Sequence, residues 1–185
     1  MRIVEEGAPQ LQAYESISIA FEVRARMRLE DLRVRGQIVA DPVEPWLKNY
    51  DDCEEDRPTA LARRFDMSHW CILSAFEGDQ RLGGMIIARN DPSCEMLEGR
   101  TDLAVIFDVR VRPDARGGGI GRALFEGAKD RASKNGCIEL RVETQDVNVP
   151  ACRFYKAMGC DIHSVEEGAY GPEIDEAKLI WRIPL

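Results

Sequence analysis

The stretch Arg116-Gly117-Gly118-Gly119-Ile120-Gly121-Arg122 holds the residue types best suited to chemistry in this 185-residue chain. Glycines let a backbone come close to a ligand because no Cβ stands in the way. If the stretch lies between a strand and a helix, the unpaired N–H groups of the helix start and the positive end of its dipole bind phosphate. Arg116 and Arg122 add positive charge beside them. The dinucleotide pattern G-x-G-x-x-G fails, because a third glycine counted from Gly117 falls on Arg122. The Walker pattern fails because no Gly-Lys-Ser/Thr follows. A plain flexible turn is the alternative. Two carboxylates are placed to accept a proton: Asp108 on the strand before the loop, and Glu143 at the end of the strand after it. Either also suits an ordinary ion pair. Metal chemistry is not expected. His69 and His163 have no ligand spacing around them, and none of the six cysteines (Cys53, Cys71, Cys94, Cys137, Cys152, Cys160) forms a C-x-x-C pair.

The elements that must position these residues are sharply written in the second half. Val105 to Val111 alternates as a strand, with Val105, Phe107, Val109 and Val111 on one face and Asp108 on the other. Pro113 ends it. A helix runs from about Ile120 to Lys134, with Ile120, Ala123, Leu124, Ala128 and Ala132 on one stripe. Arg131 and Lys134 suit its C-terminus and Gly136 closes it. Ile138, Leu140 and Val142 mark the next strand. Asn148 caps a short helix with Pro150 in its first turn and Gly159 after its end. Strands near 162–165 and 178–183 finish the chain. The first half is less clear. Residues 17–23 and 32–39 read as strands, and 41–45, with Pro42 and Pro45, as a break. The acidic run 51–56 reads as a solvated loop or helix start. Residues 70–76, a turn at 77–80, and 82–88 form a hairpin, followed by a polar loop at 90–101. A strand–helix–strand–helix order after a strand-rich first half implies a mixed α/β sheet.

Composition sets outer bounds. Hydrophobic residues make up 44% and charged residues 31%, the balance of a globular domain with its own core. The net charge of −8 opposes general nucleic-acid binding and tolerates cationic small molecules. No basic segment followed by a long apolar run opens the chain, and no apolar stretch reaches the roughly 18 residues that span a bilayer. A cytoplasmic setting with reduced thiols, and no membrane partner, is therefore expected.

Two motifs carry a family resemblance. Arg116-x-x-Gly119-x-Gly121, with a strand before and a helix after, resembles the pyrophosphate loop of the GCN5-related N-acetyltransferase (GNAT) superfamily. Asn148-x-x-Ala151-x-x-Phe154-Tyr155-x-x-x-Gly159 resembles that superfamily's next helix. More narrowly, Glu143-Thr144-Gln145-Asp146-Val147-Asn148 with Ala151-Cys152-Arg153-Phe154-Tyr155 is similar to the streptothricin acetyltransferase branch. So are Ala177-Lys178-Leu179-Ile180-Trp181 and Pro45-Trp46-Leu47-Lys48-Asn49-Tyr50. The stretch 57–100 is longer than that branch leads one to expect.

The resemblance implies the acyl-CoA N-acyltransferase fold: one domain over 1–185, built on a central, mostly antiparallel sheet flanked by helices. It implies acetyl-CoA as cosubstrate, held by Arg116, Gly117, Gly118, Gly119, Ile120, Gly121 and Arg122 at the pyrophosphate. Backbone groups of Val109, Arg110 and Val111 and the Asn148 and Tyr155 side chains would line the acyl arm. Tyr155 is implied as the acid that protonates the leaving thiolate, with a core tyrosine as the alternative. Asp108 matches an acidic residue of the narrower branch and is the favoured base, with Glu143 second. The implied acceptor is the primary amine of a cationic small molecule such as streptothricin, making antibiotic resistance the expected role. The acidic run 51–56 would attract that amine. A lysine side chain or protein N-terminus is the competing acceptor, and a non-catalytic CoA-binding sensor the competing class. A homodimer is the assembly the superfamily suggests.

Overall fold

The computed structural model describes residues 1–185, save the side chain of residue 35. Its elements, in order, are β1 (Arg2–Glu6), α1 (Leu11–Glu15), β2 (Phe21–Met27), α2 (Leu29–Arg35), β3 (Ala40–Lys48), α3 (Pro58–Arg64), β4 (Cys71–Glu77), β5 (Gln80–Arg89), β6 (Leu103–Val111), α4 (Ile120–Lys134), β7 (Glu139–Gln145), α5 (Val149–Ala157), β8 (Asp161–Glu166) and β9 (Lys178–Pro184). They divide into two compact units. The first holds Met1–Ala20, Asn49–Leu140 and Leu185, and the second Phe21–Lys48 and Arg141–Pro184. The mixed α/β class and the mostly antiparallel sheet are as expected.

In the first unit the strands run β1-β4-β5-β6, each antiparallel to its neighbour. One face of this sheet carries an apolar cluster that includes Leu11 and Tyr14 of α1, Leu61 of α3, Ile72, Ile86 and Val105. Phe65, Trp70 and Phe107 pack ring to ring at 5.0–5.3 Å beside it. Helix α4 covers the opposite face and approaches Leu73 of β4 at Gly127. It buries Ile120, Leu124, Phe125, Ala128 and Ala132. The expected stripe is therefore right in direction but missed Phe125, which is fully buried. Burying a side chain of that size contributes roughly 1.5–3 kcal/mol.

Strand β6 departs from simple alternation. Ile86 pairs with Asp108 but Ile87 pairs with Ile106, so Phe107 is an extra residue, a β-bulge. A bulge reverses which side chains share a face. Val105 and Asp108 lie on the α1 side with Arg110, while Val109 and Val111 point to the α4 side. The single valine face read from period 2 is thus incorrect. The added residue turns Asp108 toward the side from which Tyr14 approaches.

In the second unit β7-β9-β8 form one run, β8 and β9 being antiparallel, and β2 pairs with β3 in a separate two-stranded sheet. The first half of the chain needs three corrections. Residues 17–20 precede β2 rather than belonging to it. The expected strand at 32–39 is the end of helix α2 and a coil, because Leu32 is buried while Val34 is 81% exposed, so no face is formed for a sheet to bury. Pro42 and Pro45 lie inside β3. Among the described residues it pairs with β2 in a two-stranded sheet, so prolines can be accommodated along the open edge. Elements β1, α1 and α3 were not marked by any clear pattern. From β4 onward the expected elements all occur, α4 with the expected bounds and the others with ends within three residues of them.

Candidate active site

Beyond β6, residues 113–115 make a single 3₁₀ turn and the glycine loop follows. Gly117 (φ +79°) and Gly119 (φ +82°) both take the left-handed conformation, and a Cβ built on either meets nothing within 4 Å. Side-chain residues pay roughly 1–2 kcal/mol for that conformation, and the open space in front of the loop is where a ligand would approach. Ala123 donates the first bond of α4, to the Gly119 carbonyl at 3.0 Å. The N–H groups of residues 120–122 therefore have no partner within the helix. Arg116 folds back onto the chain, donating to the carbonyls of Val111 (3.1 Å) and Ala20 (3.2 Å), so its charge is fixed beside the loop. Arg122 is exposed on the first turn of α4. This cradle fits a diphosphate.

The same unit contains a buried polar network. The Arg110 side chain has no solvent exposure. It donates to both carboxylate oxygens of Asp51 (2.8 and 2.6 Å), to Asp108 through Nε (3.0 Å) and Nη2 (3.1 Å), and to the Ile17 carbonyl (3.1 Å). The Tyr14 hydroxyl donates to Asp108 Oδ1. Burial pushes the Asp108 carboxyl above its ordinary range, against the opposing pull of Arg110 and Tyr14. For Arg110, burial works toward neutrality, but the bonds to Asp51 and Asp108 outweigh it, and the guanidinium stays charged. Asp51, the first residue of the acidic run, is thus tied to a buried arginine, its own side chain staying 19% exposed. The remaining residues, 52–56, are exposed in short turns.

Sequence reasoning missed Tyr14, Asp51 and the Arg110 side chain as parts of this site. One signal was present. Gly83 and Gly84 interrupt the interior of a strand, which marks a close approach. A Cβ on Gly84 would stand 2.7 Å from the Tyr14 ring, and one on Gly83 2.6 Å from the Arg110 carbonyl oxygen.

The second unit holds Glu143, Asn148 and Tyr155. Asn148 caps α5, its side chain accepting from the Ala151 N–H at 3.2 Å. Tyr155 is 4% exposed, with the Phe154 ring 5.1 Å away, edge on. Glu143 accepts from the Tyr170 hydroxyl at 2.7 Å, which in turn accepts from Gln145 at 2.8 Å. Below α5, Trp181 donates to Thr144 (2.9 Å), and Thr144 meets the Cys152 thiol at 3.4 Å. Burial pushes that thiol up to about 12, so it is inert. A cavity of about 350 Å³ is lined by Arg26, Asp146, Glu167, Asp175 and Glu176, among others. Asp146 accepts from the Ala177 N–H (3.0 Å) and lies 3.3 Å from Arg26. Burial raises its pKa. Among the described residues no cluster could hold a metal, His69 and His163 are both exposed, and no helix is long and apolar enough to cross a membrane.

A glycine cradle at a helix start, beside a bulged strand of a mostly antiparallel sheet, suits a phosphate-bearing cosubstrate. Comparison with known proteins identifies the family. Residues 35–160 match the family described as Acetyltransferase (GNAT) family. The streptothricin acetyltransferase of Escherichia coli is 30% identical over 145 residues, 75% of this chain and 71% of that protein. Streptothricin acetyltransferase A of Bacillus subtilis (strain 168) is 36% identical over 80 residues, 42% of this chain and 46% of that protein, so that match spans under half of the relative's length. A crystal structure of a protein from Bacillus anthracis str. Ames in complex with acetyl coenzyme A superposes with a TM-score of 0.76. It covers 100% of this chain and 99% of that one at 22% identity, a likeness of fold. The chain belongs to the acetyltransferase (GNAT) family.

Proposed function

We propose that this protein is a single-domain, cytoplasmic N-acetyltransferase that moves the acetyl group of acetyl-CoA onto a primary amine of a cationic small molecule of the streptothricin type. The observation that carries this reading is the glycine cradle at the start of α4, with two left-handed glycines and open space before them. The similarity to streptothricin acetyltransferases supports the acceptor class.

In this reading residues 117–121, with Arg116 and Arg122, bind the pyrophosphate through backbone N–H groups and charge. Val109, Arg110 and Val111 contribute backbone groups along the acyl arm. The Arg110 side chain does not, since it is spent on Asp51 and Asp108. Asn148 borders the same arm. The amine nitrogen attacks the thioester carbonyl, forming the C–N bond as the C–S bond breaks. Asp108 accepts the amine proton, and its raised pKa brings it nearer the working range of a general base. Tyr155 donates a proton to the thiolate. Glu143 is the second carboxylate considered for the base. The net charge of −8 favours a cationic acceptor. The assembly expected is a homodimer.

The test is release of free thiol from acetyl-CoA against a panel of streptothricin, aminoglycosides, polyamines, lysine-containing peptides and N-terminal peptides. Turnover with streptothricin is expected. Turnover only with peptides would replace the acceptor by a protein. No turnover across the panel, with acetyl-CoA bound in calorimetry, would favour a CoA sensor.

A further inference from the structure

Asp108 is held from two directions. Helix α1 sends Tyr14 across β5, where Gly84 leaves room for its ring, and the hydroxyl donates to Asp108 Oδ1. Tyr14 has no solvent exposure, so its ring cannot touch a substrate. From β6 itself, two residues on, Arg110 donates to Oδ1 at 3.0 Å and to Oδ2 at 3.1 Å. That guanidinium is shared. Its Nη1 and Nη2 form the two bonds to Asp51 at 2.8 and 2.6 Å, shorter than any of its three bonds to Asp108. The remaining titratable group of α1, Glu15, turns its carboxylate to the Thr59 N–H (2.8 Å) and offers Arg110 only a carbonyl oxygen at 3.4 Å.

A donor hydrogen-bonded to a carboxylate favours its ionised form, while a second carboxylate competing for the same cation disfavours it. We propose that Tyr14 and Asp51 are positioning residues for Asp108 that act in opposite senses. Tyr14 aims the carboxylate and holds it ionised, and Asp51 draws Arg110 away and favours the protonated form. The same opposition appears in the balance on Asp108, which Tyr14 lowers and Asp51 raises. Together they leave a carboxylate that is fixed in direction but not locked in charge, as proton transfer requires. The inference rests on Asp108 being the base.

The experiment follows the carboxyl carbon of Asp108 by NMR through a pH titration of the ¹³C-aspartate-labelled protein, without ligand. Tyr14→Phe is expected to move the Asp108 midpoint to higher pH and Asp51→Asn to lower pH, while Asp51→Glu stays near the wild type. Circular dichroism identifies the folded variants. If Asp51→Asn does not fold, the direction for Tyr14→Phe and the return for Asp51→Glu decide the matter. Midpoints that stay still, or move in the same direction, overturn the inference. A second readout is thiol release from acetyl-CoA with streptothricin. Tyr14→Phe should shift the acidic limb of kcat upward with the KM for acetyl-CoA unchanged. If Asp108→Asn keeps wild-type kcat and the same acidic limb, the base assignment fails, and the positioning role with it, whatever the NMR midpoints do. If Asp108→Asn abolishes the limb and the midpoints do not part, only the present inference fails.

Discussion

The glycine loop and the Asp108 network lie in the same unit, one at the end of β6 and the other on its side, yet they are specified in different ways. The loop is local. Seven consecutive residues supply its bends, its free N–H groups and its charge, and the helix that follows completes it. The network is assembled from distant parts of the chain. Tyr14, Asp51, Asp108 and Arg110 come from a short helix, a 3₁₀ turn and a strand, and the hydrogen-bonded pair Tyr14 and Asp108 is 94 residues apart in sequence. The loop tolerates exposure, since its groups are to be satisfied by a ligand. The network is built around the buried Arg110 and Tyr14 and is held together by its own bonds. A local site is vulnerable to changes in its own backbone, and an assembled site to the loss of any one charge.

The largest effect should come from the assembled site. Arg110→Met leaves Asp108 and the half-buried Asp51 carboxylate without their buried cation. Removing one partner of a buried ion pair typically costs about 3–5 kcal/mol, and urea denaturation at pH 7 should show a loss of that order. The sign with pH follows from the raised Asp108 pKa. A carboxyl whose folded pKa exceeds its unfolded value favours the fold when protonated. That contribution is complete below the unfolded pKa and lost as pH rises through the folded one. Without Arg110 the pKa rises further, so the variant should recover part of its stability on acidification below neutrality. A deficit that is the same at all pH values would mean that Arg110 contributes by packing rather than by charge.

The loop should break differently. Gly119→Glu sets a side chain on a φ of +82° and aims a carboxylate into the space before the helix start. Calorimetry should show acetyl-CoA affinity reduced at least ~100-fold, about 2.7 kcal/mol. The melting temperature should change far less than in Arg110→Met, because nothing is packed against that position. Undiminished affinity would move the cosubstrate away from the loop.

This contrast also explains how much could be read from the chain alone. The loop, α4, α5 and their caps were legible because each is written in contiguous residues: glycines at the turn, an apolar stripe at helical spacing, Asn148 before Pro150. Asp108 was legible as a candidate, but its surroundings were not. Period 2 put it opposite Val105, and the bulge at Phe107, which no local pattern announces, put it on the same face. The acidic run looked uniform, yet Asp51 is tied to Arg110 and its neighbours are exposed. Nothing in the run's composition distinguishes its first member; only the fold does. Proline pairs at 42 and 45 argued against a strand, and an edge position made one acceptable.

The smallest predicted effect tests a residue that belongs to both descriptions. Asn148 is a helix cap by its bond to the Ala151 N–H, and a cosubstrate contact by family resemblance. Removing a capping side chain costs about 1 kcal/mol, so Asn148→Ala should lose that much in denaturation. Asn148→Asp should lose almost none of it, since aspartate caps as well as asparagine does. If the side chain also donates a hydrogen bond to the pantetheine arm, the two variants part company in binding. Aspartate lacks the amide donor and puts a negative charge beside the arm, so acetyl-CoA affinity should fall in both variants while stability falls in only one. An Asn148→Asp protein with wild-type stability and wild-type affinity would assign Asn148 to the helix alone. It would also shift the burden of holding the acyl arm to the backbone of β6.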